Sequence, residues 1–327
     1  MPKATHLVEV VPIKLEAHPT ADRLLLVMIG MYSTCVQKGM FKDGDLGAFV
    51  PPDSLVDTSR PEFAFLAKES KECYGNRARI KVKKLRGIVS MGLLVPAPAG
   101  MKAGEDAAEA LGVTHYQPPE PTSTGGETAA PPEGYHPNYD VDTWYKYAHL
   151  FKSGEEVICT EKIHGTSWRA CFYDGAMHCG SRTEWTREKE GVVYWRVVRE
   201  NPEIEEFCRT HPDISLYGEV FGWVQSLRYG RQQDHVDYAV FDLLRGSSWI
   251  PAKEARELGK SLKWVPLLYE GPYDVEKIKA LAEGPSLIPG ANHIREGLVL
   301  KPLIERFDPE IGRVQTKIVS SAYLEQA

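Results

Sequence analysis

The residues best suited to chemistry lie in one short segment, in which Lys162 stands three positions before Gly165. The apolar residues Val157, Ile158 and Cys159 come just before it, whereas surface lysines usually have polar neighbours. A lysine held in a cleft can act as a nucleophile once it has lost its proton. Because the reference pKa of lysine is about 10.4, we expect the surroundings to lower the pKa of Lys162 by roughly three units.

A Lys-x-x-Gly spacing is common by chance, so the groups that follow it along the chain carry more weight. Carboxylates, an aromatic residue and further lysines suit nucleotidyl transfer from a triphosphate, because phosphoryl-type transfer depends on positioning and on charge neutralisation. A hard cation, Mg²⁺ or Mn²⁺, can supply part of that neutralisation. The downstream segments are Tyr217-Gly218-Glu219-Val220-Phe221-Gly222, Phe241-Asp242, Glu296-Gly297-Leu298-Val299-Leu300-Lys301 and Lys317.

In order and identity these segments resemble motifs I, III, IIIa, IV and V of the covalent nucleotidyltransferases, which comprise DNA ligases, RNA ligases and mRNA-capping enzymes. The motif I segment, Thr-Glu-Lys-Ile-His-Gly-Thr, is similar to that of RNA ligases, since DNA ligases more often have Asp in place of His164. Ten residues follow Lys317 in the sequence, so we expect this chain to lack the OB domain that usually follows motif V in DNA ligases and capping enzymes. The layout resembles the fifth RNA ligase family, the Deinococcus type.

The resemblance implies which residues bind the nucleotide. Lys162 would attack the α-phosphate of ATP, become a lysyl-AMP and release pyrophosphate. Phe241 would stack on the adenine, and Thr160, Glu161 and Gly165 would lie beside the bound nucleotide. AMP would then pass to a 5′-phosphate, and a 3′-hydroxyl would displace it to close the strand.

The resemblance also implies which residues handle charge. Glu219 would hold the ribose or a metal-bound water, and Glu296 would help to place the metal ion, so that these two carboxylates form the expected metal site. Lys301 and Lys317 would neutralise charge on the α-phosphate, and Arg182 would touch the nucleotide or the RNA strand. The expected cofactors are therefore ATP and Mg²⁺ or Mn²⁺, and the expected catalytic set is Lys162, Glu219, Glu296, Lys301 and Lys317.

The sequence departs from the family pattern at two points. Motif V commonly has the spacing Lys-x-Lys, but Gln315 occupies its first position here. In addition, a regular strand would place Glu296 and Lys301 on opposite faces. We expect a bulge or bend near Gly297 to bring them together.

The sequence patterns around these residues predict an α+β fold in two domains. Residues 1–116 contain short apolar runs separated by Gly, Pro and Asp, which is typical of a small β-barrel; an OB-like barrel is the commonest such barrel that binds nucleic acid. Residues 117–137 are rich in Pro, Gly, Thr and Glu and indicate a linker. Residues 138–327 predict a nucleotidyltransferase (ATP-grasp-like ligase) domain with antiparallel sheets, in which 187–208 and 275–283 read as helices, the second with Asp274 as N-cap.

Charge and cysteine content bound the possible partners. The formal net charge is −6, but residues 77–86 carry six basic residues and no acidic one. We therefore expect the strand around Lys81, Lys83 and Lys84 to contact nucleic-acid phosphates without regard to sequence; the alternative is that the barrel is only a scaffold or a dimer contact. The six cysteines form no Cys-x-x-Cys pair, which favours reduced thiols in a cytoplasmic protein, and no run is long and apolar enough for a membrane helix.

The favoured interpretation is an ATP-dependent RNA ligase that acts on a nicked duplex with RNA on the 3′-hydroxyl side. RNA could be distinguished there through its 2′-hydroxyl or its A-form shape. An ATP-dependent DNA ligase and a non-catalytic RNA-binding protein of the same fold are the alternatives, and a GTP-using capping enzyme fits less well. No obligate protein partner is evident from the sequence.

Overall fold

The computed structural model describes residues 6–67, 73–74, 76–116 and 127–326. The chain forms two compact units: the first comprises Met1–Pro118, Tyr145–His149 and Leu324–Ala327, and the second comprises Pro119–Trp144 and Leu150–Tyr323. Residues 117–126 of the predicted linker lie outside the described residues, so the linker and the predicted domain limits stay predictions.

The first unit is built almost entirely from short strands. The strands β2, β3 and β4 form an antiparallel meander, β5 lies between β1 and β11, β9 pairs with β10, and β6 and β8 lie in the middle of a sheet with the order β12-β6-β8-β7. Its elements are β1 Glu9–Pro12, β2 Leu15–Ala17, β3 Leu24–Ile29, β4 Tyr32–Gln37, β5 Leu46–Val50, β6 Ser54–Asp57, a 3₁₀ helix Ala64–Ala67, β7 Cys73–Tyr74, β8 Arg77–Arg79, β9 Lys83–Leu85, β10 Ile88–Ser90, β11 Leu93–Pro96, α1 Ala108–Leu111 and β12 Thr114–His115.

Alternation of apolar and polar residues explains why these strands enclose a core. In β4 the buried residues are Tyr32, Thr34 and Val36, which alternate with less buried ones, as expected where one sheet face is covered. Two apolar clusters result, one around Val10, Ala48 and other small side chains and a second around Val27 and its neighbours.

The basic segment differs from the single strand that the sequence predicted. It forms the two short strands β8 and β9, and Lys81 lies between them. Part of its charge is neutralised: Arg79 binds Asp53 at 2.7 Å, and the ammonium of Lys84 lies 3.4 Å from a carboxylate oxygen of Glu325. The side chains of Lys83 and Lys84 are exposed, so this surface remains the most basic exposed stretch of the described first unit.

The second unit contains two large sheets. A seven-stranded sheet has the order β13-β18-β17-β16-β19-β20-β21, and a five-stranded sheet has the order β14-β26-β23-β15-β22. From Thr128 onward the chain forms β13 Thr128–Ala129, β14 Asp142–Thr143, α2 Trp144–Tyr147, a 3₁₀ helix Ala148–Leu150, β15 Glu156–Lys162, β16 Thr166–Tyr173, β17 Ala176–Gly180, β18 Trp185–Thr186, α3 Val193–Glu200, α4 Pro202–Thr210, β19 Ile214–Gly222, β20 Val236–Arg245, β21 Ser248–Trp249, α5 Ala252–Leu258, β22 Leu267–Pro272, α6 Val275–Ala282, β23 Gly297–Pro302, β24 Phe307–Asp308, β25 Gly312–Arg313, β26 Thr316–Val319 and α7 Ser321–Gln326. Most of α2, most of the 3₁₀ helix and the last residues of α7 are part of the first unit.

Helices α3 and α4 cover one face of the seven-stranded sheet. Trp168 and Ala170 of β16 are fully buried in a cluster with Val197 of α3 and Ile204 of α4. Because side chains alternate along a strand, Ser167, Arg169 and Cys171 of β16 lie on the opposite face. That second face carries most of the polar residues discussed below.

The antiparallel sheets predicted for residues 138–327 are present, and they include β15, β16, β19, β20 and β23. The helix at 275–283 is also confirmed, since Asp274 accepts a hydrogen bond from the backbone N–H of Lys277 at 2.8 Å. The prediction of one helix over 187–208 is wrong. The chain there forms α3 and α4, separated at Asn201, because Pro202 lacks the N–H that would continue the first helix.

Five of the six cysteines are described as free thiols. Cys159, Cys171, Cys179 and Cys208 are buried free thiols and Cys35 is partly buried. Within the part of the chain that the structure describes, no helix is long and apolar enough to cross a membrane.

Candidate active site

Lys162 is the last residue of β15, a central strand of the five-stranded sheet. Its neighbour on one side is β23, and the antiparallel register places Lys162 opposite Gly297 and Ile158 opposite Lys301. On the other edge of β23, Lys317 of β26 lies opposite Val299. Directly paired residues share a face, so Lys162, Lys301 and Lys317 all belong to one face of this sheet.

The ammonium of Lys162 is held by Glu296. Its Nζ lies 2.7 Å from Glu296 Oε1, and the two side chains are 26% and 11% exposed. These residues are 134 positions apart in sequence, so only the pairing of β15 with β23 brings them together. The nucleophile that the sequence predicted therefore lies in a charged and largely desolvated site.

Glu296 reaches this face because it precedes the strand. The strand β23 begins at Gly297, and its ladder with β15 is regular from Gly297 to Pro302. No bulge is present in this ladder, because the regular alternation does not extend to Glu296; the irregular backbone expected near Gly297 lies at the start of the strand. Gly297 has a φ of +156°, and a Cβ there would lie 2.0 Å from the backbone oxygen of Ile318; glycine is required by this close approach of β26.

Glu219 approaches the same site from the seven-stranded sheet. Its Oε1 accepts a hydrogen bond from the backbone N–H of Gly165 at 3.1 Å. A Cβ on Gly165 would lie 2.1 Å from the backbone oxygen of Val220, so the glycine of motif I allows the turn after Lys162 to pack against β19. Burial is the main cause that raises the pKa of Glu219 to about 8, with a further contribution from the charge of Glu296.

The electrostatics of Lys162 differ from the expectation of a lowered pKa. Burial disfavours the charged ammonium, but Glu296 and Glu219 outweigh it and raise the pKa of Lys162 above its usual value. In this state the lysine is a held ammonium ion and cannot attack. A nucleophilic amine requires that these two carboxylates be neutralised or drawn away.

Phe241 stands at a break in the ladder between β19 and β20. Tyr217 pairs with Asp242 and Gly218 pairs with Val240, so Phe241 is the extra residue of a β-bulge. Bulges turn a side chain away from the regular alternation, and the Phe241 ring is only partly buried, with the ring of Tyr139 at 4.4 Å between centroids. An aromatic face at this position suits the predicted stacking on a base.

Beside Phe241, Asp242 is the centre of a buried ionic network that the sequence analysis missed. It is 1% exposed and lies 2.5 Å from Lys301 Nζ and 2.7 Å from Arg313 Nη1. Tyr139 donates a hydrogen bond to the same carboxylate. Although burial acts in the opposite direction, Arg313 and Lys301 lower the pKa of Asp242 to about 2.

The ammonium of Lys301 is thereby paired with Asp242 and is not free in the cleft. It is 4% exposed, and its Nζ also donates to the backbone oxygen of Phe241 at 3.3 Å. Its predicted action on the α-phosphate stays a prediction. A second role visible in the structure is to hold the Phe241 bulge in place.

The residues flanking Lys162 are tied to the segment before β23. Glu161 is 1% exposed and accepts hydrogen bonds from the Ser286 hydroxyl at 2.5 Å and from the Leu287 backbone N–H at 2.7 Å. Thr160 is buried opposite Val299. His164 lies 3.1 Å from the Tyr323 hydroxyl through Nδ1, so its described contacts are those of a positioning residue.

Arg182, a predicted nucleotide contact, and Gln315, the departure from motif V, both contact Asp140. Arg182 is 48% exposed and binds Asp140 at 2.5 Å. Gln315, at the position where motif V commonly has lysine, is 5% exposed and donates to the backbone oxygen of Asp140 at 3.0 Å. Gln315 is therefore a packed residue that anchors the 127–143 segment, and the assignment of Lys317, on β26, to motif V stays a prediction.

The carboxylates suit a hard divalent cation. Glu296 Oε2 is buried and has no hydrogen-bond partner among the described residues, and Glu219 supplies a second carboxylate close to the same ammonium. Within the described ranges no group of three or more His, Cys, Asp or Glu side chains could hold a metal ion. Mg²⁺ and Mn²⁺ are commonly bound by one or two carboxylates together with substrate phosphates, so these two residues fit a cation that arrives with a nucleotide.

The fold and the site are those of a nucleotidyltransferase-type ligase, and an OB-fold unit precedes this ligase unit in the chain. A family model described as RNA ligase matches residues 155–319, which is half of the chain, and a model described as an OB-fold domain matches residues 7–97. The chain belongs to the RNA ligase family. The α+β fold class and the OB-like first domain are thereby confirmed.

Solved structures agree with this membership over nearly the full length. The Naegleria gruberi RNA ligase with pyrophosphate has 26% identity, a TM-score of 0.85 and 98% coverage of both chains. A lysine-to-alanine variant of the same protein with ATP and Mn has 25% identity, a TM-score of 0.85 and 98% coverage of both chains, and a lysine-to-methionine variant with AMP and Mn has 25% identity, a TM-score of 0.85 and 99% coverage. A search of the curated proteins by sequence finds no match.

Proposed function

We propose that this RNA ligase uses ATP and a divalent cation, forms a lysyl-AMP at Lys162, and seals a 5′-phosphate to a 3′-hydroxyl in a nicked duplex with RNA on the 3′-hydroxyl side. The observation that carries the proposal is the placement of Lys162 Nζ, 2.7 Å from Glu296, at the end of a strand whose next turn packs against Glu219. The binding of ATP, AMP, pyrophosphate and Mn by the Naegleria gruberi ligase supports the choice of nucleotide and metal.

In the first step the neutral amine of Lys162 attacks the α-phosphorus of ATP. A P–N bond forms, the bond from the α-phosphorus to the bridging oxygen breaks, and pyrophosphate leaves with that electron pair, while the nitrogen of Lys162 loses one proton to the solvent. The cation would be held by Glu219 and Glu296 and would supply neutralisation of phosphate charge. Phe241 would stack on adenine, while the Glu161 carboxylate, which accepts hydrogen bonds from Ser286 and Leu287, helps to keep Lys162 at its position.

In the later steps the 5′-phosphate of the strand attacks the lysyl-AMP, and the Lys162 nitrogen leaves as the amine. The 3′-hydroxyl then attacks the activated phosphate, a phosphodiester forms and AMP departs. Lys317, on the same sheet face as Lys162, and Arg182 are the cations that we assign to phosphate charge during these transfers. The arrangement also supports placement within the fifth RNA ligase family.

Label transfer from α-³²P-ATP to the protein, with Mg²⁺ or Mn²⁺, tests the first step. We expect labelling with ATP, little with GTP, and none in Lys162→Ala. Lys260→Ala is the matched control, because Lys260 is 79% exposed and pairs only with the equally exposed Glu257 at 3.9 Å. Absence of label in the wild-type chain with either metal would favour the non-catalytic RNA-binding interpretation.

Nick sealing tests the substrate. A nick whose 3′-hydroxyl belongs to a ribonucleotide should be sealed faster than one that ends in a deoxyribonucleotide, because the 2′-hydroxyl distinguishes the two. Equal rates on the two nicks, or a preference for the deoxyribonucleotide, would favour the DNA ligase alternative.

We also propose that the first unit contributes contacts to the strand through its exposed basic residues Lys83 and Lys84. Replacing both by serine in the full chain should weaken duplex binding and reduce its dependence on salt. Unchanged binding would leave the unit with a scaffolding role alone.

A further inference from the structure

A polar cavity lies in the second unit, and Lys162 is not among the residues that line it. It has a volume of about 420 Å³, more than ten times the roughly 30 Å³ share of one water molecule. Its walls are the 128–138 segment, β16 and the 183–185 turn. Arg169, His136 and Trp185 supply its most deeply buried polar and aromatic groups.

Arg169 is the unusual residue of this cavity. It is 3% exposed, and none of the described carboxylates lies within 4 Å of it, in contrast to the buried Lys301 and Arg313, which share Asp242. Arg169 Nη1 donates to the His136 backbone oxygen at 3.0 Å, while its Nε has no partner among the described residues. An arginine side chain stays charged at physiological pH, so the fold buries a positive charge without a counter-charge.

The surrounding groups are arranged to receive an anion. The guanidinium of Arg169 lies 4.5 Å from the centre of the Trp185 ring, which fixes its plane. His136 Nδ1 lies 3.3 Å from the Ser215 hydroxyl, and its Nε2 is buried without a described partner. Two nitrogen atoms on two different elements thus have unused hydrogen-bonding capacity, and a buried group of this kind normally finds a partner.

The position of the cavity indicates which anion it would take. Arg169 lies on the face of β16 that also carries Ser167, and Ser167 pairs with Glu219 of the candidate active site. In β17, Gly180 pairs with Arg169 and leads directly into the turn that presents Arg182. Two residues of a strand span about 6.6 Å, which is about twice the axial spacing of roughly 3.4 Å between neighbouring phosphates along one nucleic-acid strand.

We propose that this cavity binds a phosphate group of the polynucleotide substrate, with Arg169 as the anchoring cation. The proposal rests on the proposed function, since it places the strand on the same sheet face as the nucleotide site. Glu184 also lines the cavity but is exposed, so it stands at the rim, where water screens its charge.

The test uses Arg169→Met in the full chain and measures binding of a fluorescein-labelled oligoribonucleotide by anisotropy, without ATP. We expect the affinity to fall by about ten- to a hundredfold, the effect of losing a hydrogen bond to a charged group. The slope of log affinity against log salt should fall by about 0.7, as expected for one phosphate of a single strand. The control is Arg187→Met, since Arg187 is 68% exposed and pairs with the exposed Glu127; its affinity should stay within about twofold.

Thermal unfolding separates a binding role from a structural one. Because the charge is buried without a counter-charge, Arg169→Met should melt at the same temperature as the wild type or higher. Inorganic phosphate should raise the melting temperature of the wild type and leave that of the variant unchanged. A lower melting temperature together with unchanged salt slope would overturn the proposal in favour of a packing role.

Two further outcomes decide between sources of phosphate and between the two proposals. In one outcome, inorganic phosphate or pyrophosphate raises the melting temperature of the wild type, but oligoribonucleotide binding does not depend on Arg169. That outcome would overturn the assignment of the cavity to a phosphate of the polynucleotide. If the wild type forms no lysyl-AMP but its strand binding depends on Arg169, the proposed function fails and the cavity assignment stands. If labelling succeeds and Arg169→Met binds strand as the wild type does, only the cavity assignment fails.

Discussion

Replacing Asp242 by asparagine should destabilise the C-terminal unit by about 3–5 kcal/mol at pH 7, the range found when one partner of a buried ion pair is removed. Asp242 is 1% exposed, and the side chains of its cationic partners Lys301 and Arg313 are 5% and 7% exposed. Glu305 still pairs with Arg313 in the variant, whereas Lys301 would have no remaining counter-charge among its described contacts.

The pKa of Asp242 gives an independent value of the same order. That pKa is lowered from 3.8 to about 2, which corresponds to roughly 2–3 kcal/mol of stability at neutral pH. Since the folded pKa is depressed, this stability is present above about pH 4 and is lost as the pH falls towards 2. The difference between wild type and Asp242→Asn should therefore shrink over that range.

Tryptophan fluorescence is a suitable assay, because all seven tryptophans of the chain belong to the C-terminal unit. One of them, Trp249, stacks on the guanidinium of Arg313 at 4.3 Å. Urea unfolding gives the free energy, and thermal unfolding should show a fall of about 6–20 °C for a unit of this size.

The matched control is Asp213→Asn, which removes an exposed carboxylate that pairs with Arg245 at 3.2 Å. It should cost at most about 1 kcal/mol. A loss below about 1 kcal/mol for Asp242→Asn at pH 7, or a difference from wild type that stays constant down to pH 3, would refute the electrostatic reasoning.

Three further predictions concern the candidate active site. Gly297→Ala should cost roughly 1–3 kcal/mol through overpacking and reduce lysyl-AMP formation, because the new Cβ would lie 2.0 Å from the Ile318 backbone oxygen; a urea midpoint equal to that of the wild type would contradict this. Phe241→Leu should raise the KM for ATP by about tenfold, as expected from loss of base stacking worth about 1–3 kcal/mol, and an unchanged KM in ATP titrations would exclude stacking. Because the pKa of Glu219 is raised to about 8, protons should compete with the cation below that pH, so Mn²⁺ affinity measured by calorimetry should fall by up to about tenfold per pH unit. A flat pH dependence, or the same dependence in Glu219→Gln, would show that Glu219 is not the competing group.

Patterns that are local in sequence predicted the largest part of the fold. The strands that carry Lys162, Glu219, Phe241 and Lys301 follow from short apolar runs, and Asp274 marks the start of α6 through its own side chain. The limits of such patterns appear where one residue decides the outcome. Pro202 splits a region with continuous helical character because a single missing N–H ends α3.

Partner choice at the site could not be predicted in the same way. The motifs identified Lys162, Glu296 and Lys301 as charged residues, but a motif does not state which charges meet. Arg313 illustrates the difficulty: it stands four positions before Lys317, yet its target is Asp242, 71 positions away. Only strand register and the three-dimensional closure of the unit decide such contacts.

The strand register also explains why Lys162 is protonated, and therefore not a nucleophile, in the state described. Glu296 comes immediately before Gly297, the residue of β23 that pairs with Lys162. The strand that completes the site therefore also brings in the carboxylate that holds Lys162 as an ammonium ion. Glu219 and Glu296, the two carboxylates that raise the pKa of Lys162, are the two that fit a divalent cation. We therefore expect a cation bound to these two carboxylates to lower the pKa of Lys162 and to favour the neutral amine.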